Sequence, residues 1–294
     1  MMQRVRAGLA VAMLLLAGCE RHEPGEAPPP PLPALYEWKG ADGTREGWLF
    51  GTIHALPDDV EWRTDTLDAA IAGSDLLVVE VAALDDSAAL AEQFARYAAK
   101  FPGRQLTARV PQMQHDRLNA ALSDAGMRAE QFYHTDTWAV ALTLARTNAV
   151  GSSANGVDRA LIAEFPAERT CELEGASRQL AIFDALAEDD QLELLTAVLD
   201  ERNAGTQDAR QRLDDWRQGR LDALAKAGEA SFLGDPELRE ALLSGRNRDW
   251  ASQLSAIQGT APPMLVAVGA AHLPGPDGLV ALLEARGQTL TRIQ

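Results

Sequence analysis

Two of the five histidines in this 294-residue chain stand in matching surroundings. In Trp48-Leu-Phe-Gly51-Thr-Ile-His54 and in Met264-Leu-Val-Ala-Val-Gly269-Ala-Ala-His272, a short apolar run of strand type reaches a glycine and a histidine follows three residues later. A Leu-Pro pair comes soon after each. Neutral imidazole suits Zn, Mn, Fe, Co or Cu, and two histidines with one carboxylate leave positions open for water and substrate. A divalent ion so held lowers the pKa of its water and polarises a carbonyl, which is metallohydrolase chemistry. The carboxylate is Glu80, set inside the apolar run Leu76-Leu-Val-Val-Glu80-Val-Ala82. Buried there without a partner it would cost several kcal/mol, so it must face a cation, a group of donors or solvent. Either histidine alone reads as a hydrogen-bonded loop residue. As a pair they read as a site: His54, Glu80 and His272 are the candidate metal ligands, with Glu174 a fourth ligand or general base.

Such residues need strands to deliver them, because ligands in open α/β sheets bind outside the carboxyl ends of the strands. Tyr36 to Trp38, a turn at Gly40 to Gly43, and Gly47 to Ile53 form a hairpin whose second strand runs into His54. Asp65 and Asp68 open a short helix that ends near Gly73. The Glu80 strand follows, and βαβ order places it beside the His54 strand. Residues 86 to 260 read as helical, near 86 to 100, 111 to 125, 136 to 149, 157 to 165, 176 to 187, 189 to 203, 207 to 218, 236 to 244 and 246 to 258. One strand, Arg169 to Glu174, interrupts them, with Cys171 as a packed thiol. After His272, Asp277 caps a helix carrying Leu279, Leu282 and Leu283, Gly287 ends it, and Thr289 to Ile293 is a last strand. The expected class is α/β, with a central mixed sheet built from strands at both ends of the chain and a large, mostly helical middle. His115 and His134 read as surface residues, and the six tryptophans as core or cleft residues.

Composition narrows the function. A hydrophobic content of 46% with 24% charged residues supports one main core. A net charge of -16 leaves no basic surplus for phosphates, so nucleic acid is not an expected partner. There is no Gly-x-Ser-x-Gly elbow, His-Glu-x-x-His helix, phosphate loop or Gly-x-Gly-x-x-Gly turn. At the amino end, Arg4 and Arg6 precede the apolar stretch Ala7 to Gly18, too short for the roughly 20 residues of a spanning helix. Leu16-Ala-Gly-Cys19 then reads as a lipobox. The expected organisation is a lipoprotein signal peptide over 1 to 18, a proline-rich tether over 19 to 34 and a folded domain over 35 to 294 with its helical insertion at about 86 to 260. Lipid on Cys19 would anchor the chain in a bacterial cell envelope. Glu20, unlike the aspartate of inner-membrane retention, points to the outer membrane, facing the periplasm.

Taken together, Leu49-Phe-Gly-Thr-Ile-His54, Ser74-Asp-Leu-Leu-Val-Val-Glu80, Asn155-Gly-Val-Asp158, Leu173-Glu174 with Gln179, Arg246-Asn247 and Val268 to Gly278 resemble the TraB/PrgY/GumN family. The likeness covers the chain from about Tyr36 to its end. That family is similar to the Tiki proteases, which implies a metalloprotease-like fold related to the erythromycin esterase and ChaN group. The resemblance carries a Mn- or Co-like metal site onto His54, Glu80 and His272. It also matches Arg246 and Asn247 to a family pair, read as substrate-binding: an arginine there could clamp a carboxylate or steady an oxyanion. Gly175 stands where the family more often has threonine, which weakens the match at Glu174. The function implied is a lipid-anchored, metal-dependent hydrolase acting on a peptide or other small substrate. The alternative from a different class is a non-catalytic lipoprotein that binds haem, iron or a peptide.

Overall fold

The computed structural model describes residues 29 to 294. The expected signal peptide, Cys19 and most of the expected tether lie outside the described residues. From Pro31 to Gln294 the chain forms one compact unit, and Leu32 is already fixed to it by a hydrogen bond to Arg217 O (2.8 Å). Among the described residues no helix is long and apolar enough to cross a membrane.

Six strands, β1 (Leu35–Lys39), β2 (Arg45–Thr52), β3 (Leu76–Val79), β4 (Thr170–Glu172), β5 (Met264–Gly269) and β6 (Thr289–Arg292), form one sheet in the order β4-β3-β5-β2-β1-β6. The four from β4 to β2 are parallel, while β1 runs antiparallel to both β2 and β6. Strands from both ends of the chain thus share a mixed sheet, with a large helical middle between them, as the sequence pattern indicates. Strand β5 is paired on both edges and covered on both faces, which is why Met264 to Val268 are apolar without alternation. Its position corrects one expectation: β5, not β2, lies beside β3. Loop lengths favour joining successive strands, but the most continuously apolar strand takes the centre because it has the most surface to hide.

Apolar residues gather in two clusters. One wraps the sheet and holds Trp38, Trp216 and Trp250. The other lies within the helices and is centred on Trp138, Leu195 and Leu199. The sequence boundaries hold for most helices, with four corrections. Helix Leu221–Glu229 falls in a stretch left unassigned, where Gly219 and Gly228 mask its periodicity. Strand β4 stops at Glu172, so Glu174 occupies the cap position of helix Gly175–Asp184. Cys171 is exposed on this edge strand rather than packed. Finally, Asp277 does not cap the last helix: Gly278 holds the cap position, and the Asp277 carboxylate turns to Ser244 Oγ at 3.3 Å and Arg239 at 3.6 Å.

The segments read as 236 to 244 and 246 to 258 join end to end. Pro236–Arg239 is α-helical, Glu240–Ser244 is one π turn, and Gly245–Ile257 is α-helical again. A Cβ on Gly245 would sit 2.7 Å from Glu240 O, so the π turn needs glycine there. One extra residue per turn shifts the helical phase. This happens just before Arg246 and Asn247, the residues of this helix that face the sheet ends.

Candidate functional site

Four neighbouring parallel strands deliver the candidate residues at their carboxyl ends, where an open sheet leaves room for a ligand. Glu80 follows β3 directly, His54 lies two residues beyond β2, His272 ends the 3-10 turn after β5, and Glu174 follows β4. The focus is Gly269. A Cβ built there would lie 3.3 Å from Glu80 Oε1, 3.6 Å from His54 Nε2 and 3.6 Å from His272 Cδ2. The missing side chain therefore leaves a cradle into which all three candidate ligands project. A cleft of about 190 Å³ opens beside it, bordered by His54, Glu80, Leu84, Ser153 and Gln179.

Each imidazole is held from behind. His54 Nδ1 meets Asp158 Oδ2 at 2.8 Å, and Asp158 Oδ1 accepts from Thr52 Oγ1 at 2.7 Å. His272 Nδ1 meets Asn247 Oδ1 at 2.6 Å. Asn247 Nδ2 donates to the carbonyls of His272 (3.3 Å) and Asp277 (2.8 Å), so its oxygen is the atom left to accept. His272 therefore carries its proton on Nδ1 and a lone pair on Nε2. Trp250 packs on the ring, with centroids 4.5 Å apart.

Arg246 ties the carboxylates together. Its Nη2 donates to Glu80 Oε2 at 2.7 Å and to Glu174 Oε2 at 2.9 Å, its Nε donates to Glu174 Oε1 at 2.9 Å, and Nη1 lies 3.3 Å from His272 Nε2. Glu80 Oε1 also accepts the Gly269 N–H at 2.8 Å, and Gln179 Nε2 reaches Oε2 at 3.3 Å. The isolated-carboxylate penalty is thereby met in full.

The two histidines are tuned in opposite senses. Burial pushes His272 down to about 3, since the attraction of Glu80 does not offset the loss of water, and the ring is neutral. Crowding also opposes charge on His54, but 70% of its side chain is accessible and water relieves much of that cost. The charge and hydrogen bond of Asp158, aided by Glu80, raise it to about 9. For Glu80, burial favours the neutral acid, yet surrounding positive charge and the Gly269 N–H hold it at about 2. With His272 uncharged near neutrality, Arg246 and His54 supply that charge.

The structure thus brings His54, Glu80, His272 and Arg246 together. Two other residues have roles the sequence did not indicate. Glu174, read as ligand or base, has a side chain only 1% exposed and serves as counter-ion to Arg246, with Trp250 Nε1 donating to it at 3.0 Å. Asn247, read as substrate-binding, is fully buried and orients His272. Asp158, Thr52 and Gly269 were given no role from the sequence. The signals for Asp158 were its place in the first turn of a helix and its part in the Asn155-Gly-Val-Asp158 motif. His115 and His134 lie away from the site, bonded to Val110 O and Phe101 O.

A metal fits the donors better than the placement. Two oriented imidazoles and a carboxylate around the Gly269 cradle are the right groups. Yet among the described residues no three His, Cys, Asp or Glu side chains are placed so that they could hold one ion, and Arg246 faces both Glu80 Oε2 and His272 Nε2.

Comparison with known proteins gives one match. No curated protein and no solved structure matches the chain. A family model, that of the TraB/PrgY/gumN family, matches residues 35–292, nearly the whole described domain, and the chain belongs to that family.

Proposed function

We propose that this protein is a metal-dependent hydrolase of peptidase type, tethered to the cell envelope. The observation that carries this reading is the convergence of His54, Glu80 and His272 on the bare Cα of Gly269, each imidazole fixed by a partner behind it. These three residues carry the donor set for Mn, Co or Zn and would have to turn toward one point, with Arg246 moved aside, to hold it; when bound, such an ion would supply Lewis acidity to a carbonyl and make a water acidic at neutral pH. The protein's own groups do the rest. Asp158 and Asn247 keep the imidazoles aimed, Arg246 places a fixed cation beside Glu80 for growing negative charge, and Gln179 at the cleft edge offers a donor to substrate.

The full chain is expected to bind about one equivalent of Mn, Co or Zn by elemental analysis, and His54→Ala or His272→Ala should each abolish binding. Glu80→Gln should lower hydrolysis of a fluorogenic peptide library by at least about 100-fold, within the range for loss of a central catalytic group. Stoichiometric metal in the His54→Ala/His272→Ala double variant would end the assignment. Haem titrated in parallel tests the non-catalytic alternative, for which a Soret band is the signature. One observation favours a second reading: Arg246 already supplies positive charge at the cradle, so hydrolysis that survives chelation would indicate a metal-free mechanism built on the same residues.

The anchor rests on the Leu16-Ala-Gly-Cys19 box. Cys19→Ser is expected to move the protein from the membrane to the soluble fraction, and an unchanged membrane fraction would overturn it.

A further inference from the structure

His54 borders two cavities. On one side lies the polar cleft that holds Glu80 and Gln179. On the other is a cavity of about 300 Å³ whose walls include Ile53, Ala145, Ala149, Val150, Ala209 and Leu213, with Glu201 and Arg212 as its charged neighbours. The walls come from four places: the loop after β2, the end of helix Thr137–Asn148 with the segment after it, helix Glu188–Ala204 and helix Thr206–Arg217. The cavity opens to solvent: Ala149 is exposed, and Ile53, Ala145, Val150, Ala209 and Leu213 are half-buried. Here alanines stand where larger side chains would close the gap.

The loop after β2 that carries His54 is tied down by hydrogen bonds. Leu56 and Ser152 exchange backbone hydrogen bonds at 3.2 and 2.8 Å, and Val157 N donates to Ile53 O at 3.0 Å. Asn155 Nδ2 adds bonds to Leu56 O at 3.2 Å and Asp58 Oδ1 at 2.6 Å. His54 lines both cavities, so the apolar one adjoins the groups that would act on a carbonyl. Its volume is about twice the roughly 150 Å³ of a dry cavity known to accept benzene, so it has room for a leucine or phenylalanine side chain.

We propose that this cavity is the specificity subsite of the enzyme: it takes the aliphatic or aromatic side chain next to the scissile amide, whose carbonyl then lies in the Glu80 cleft. The substrate class is a peptide with an apolar residue at the cleavage position. The assignment rests on the hydrolase reading for the position of the carbonyl, but apolar occupancy itself is measured without turnover.

N-acetyl amides of alanine, leucine and phenylalanine, titrated calorimetrically into the Pro31–Gln294 unit, are the probe. Affinity is expected to rise about fourfold for each buried methylene. Ala145→Phe, which fills the cavity, should cut leucine-amide affinity by at least tenfold and leave alanine-amide affinity unchanged. Ala209→Leu, from a different wall, guards against a variant that fails to fold. A gradient that persists in both folded variants overturns the proposal, as does a wild-type protein with no gradient. A gradient lost on filling, in a protein that hydrolyses nothing, sinks the hydrolase reading and keeps the subsite. Turnover without a gradient does the reverse.

Discussion

Arg246→Met is expected to lower unfolding free energy by about 3–5 kcal/mol at pH 7, the usual cost of removing one partner from a buried ion network. Methionine keeps an unbranched apolar chain but removes the charge and the guanidinium that lies over the Trp250 ring. What remains is two carboxylates with side-chain exposures of 6% for Glu80 and 1% for Glu174, both of which relied on the same guanidinium. Arg246→Lys should recover only part of the loss, since a single ammonium cannot reproduce the fork that bridges Glu80 Oε2 and both oxygens of Glu174. Adding Glu174→Gln to Arg246→Met should also recover part, because one orphaned charge disappears while the glutamine oxygen still accepts from Trp250 Nε1. The deficit should shrink on acidification, as the stranded carboxylates take up protons. Guanidinium titrations of the four proteins measure all of this. A loss below about 1 kcal/mol for Arg246→Met would mean that water reaches the carboxylates and that the network is not buried in solution.

This ion network was the part of the site least legible in the sequence, and the reason is physical. Glu80 could be found because a carboxylate inside Leu-Leu-Val-Val-Glu-Val breaks a local rule, and the two histidines because strand, glycine and histidine repeat. Those signals are local. The roles of Asp158, Asn247 and Glu174 are set by which residue stands behind them across the fold, and no spacing encodes that. Asn247 beside Arg246 looked like a second substrate contact, whereas the π turn at Glu240–Ser244 sets a helical phase that buries it behind His272. The fold class followed from periodicity, since apolar runs at both ends of the chain flank a helical centre. Strand order did not, because β3 could pair with β2 or with β5 and only burial of β5 on both edges decides between them. Cys171 is exposed for a related reason: β4 has three residues and lies at an edge, so Cys171 and Glu172 both face solvent.

Without added metal, and with chelator present, stability is expected to peak near pH 6.5, and the two site histidines are responsible for opposite slopes. His272 titrates at about 3 in the folded protein and near 6.5 once unfolded. Between those values the unfolded chain binds a proton that the native chain does not, so stability rises with pH. Because the group is buried, the gain across that window is on the order of a few kcal/mol. Glu80, held at about 2, steepens the same limb below its ordinary carboxylate value. His54 works the other way: at about 9 it keeps a proton that the unfolded chain releases near 6.5, so stability falls as pH climbs between the two. Asp158→Asn should flatten this alkaline limb, because the amide removes the charge that raises His54, and should leave the acid limb in place. His272→Gln should flatten the acid limb between about pH 4.5 and 6.5 and keep the alkaline one. A wild-type protein whose stability is level from pH 6.5 to 9, or an Asp158→Asn variant with an unchanged alkaline slope, would mean that His54 is not an imidazolium and that its bond to Asp158 holds a neutral ring.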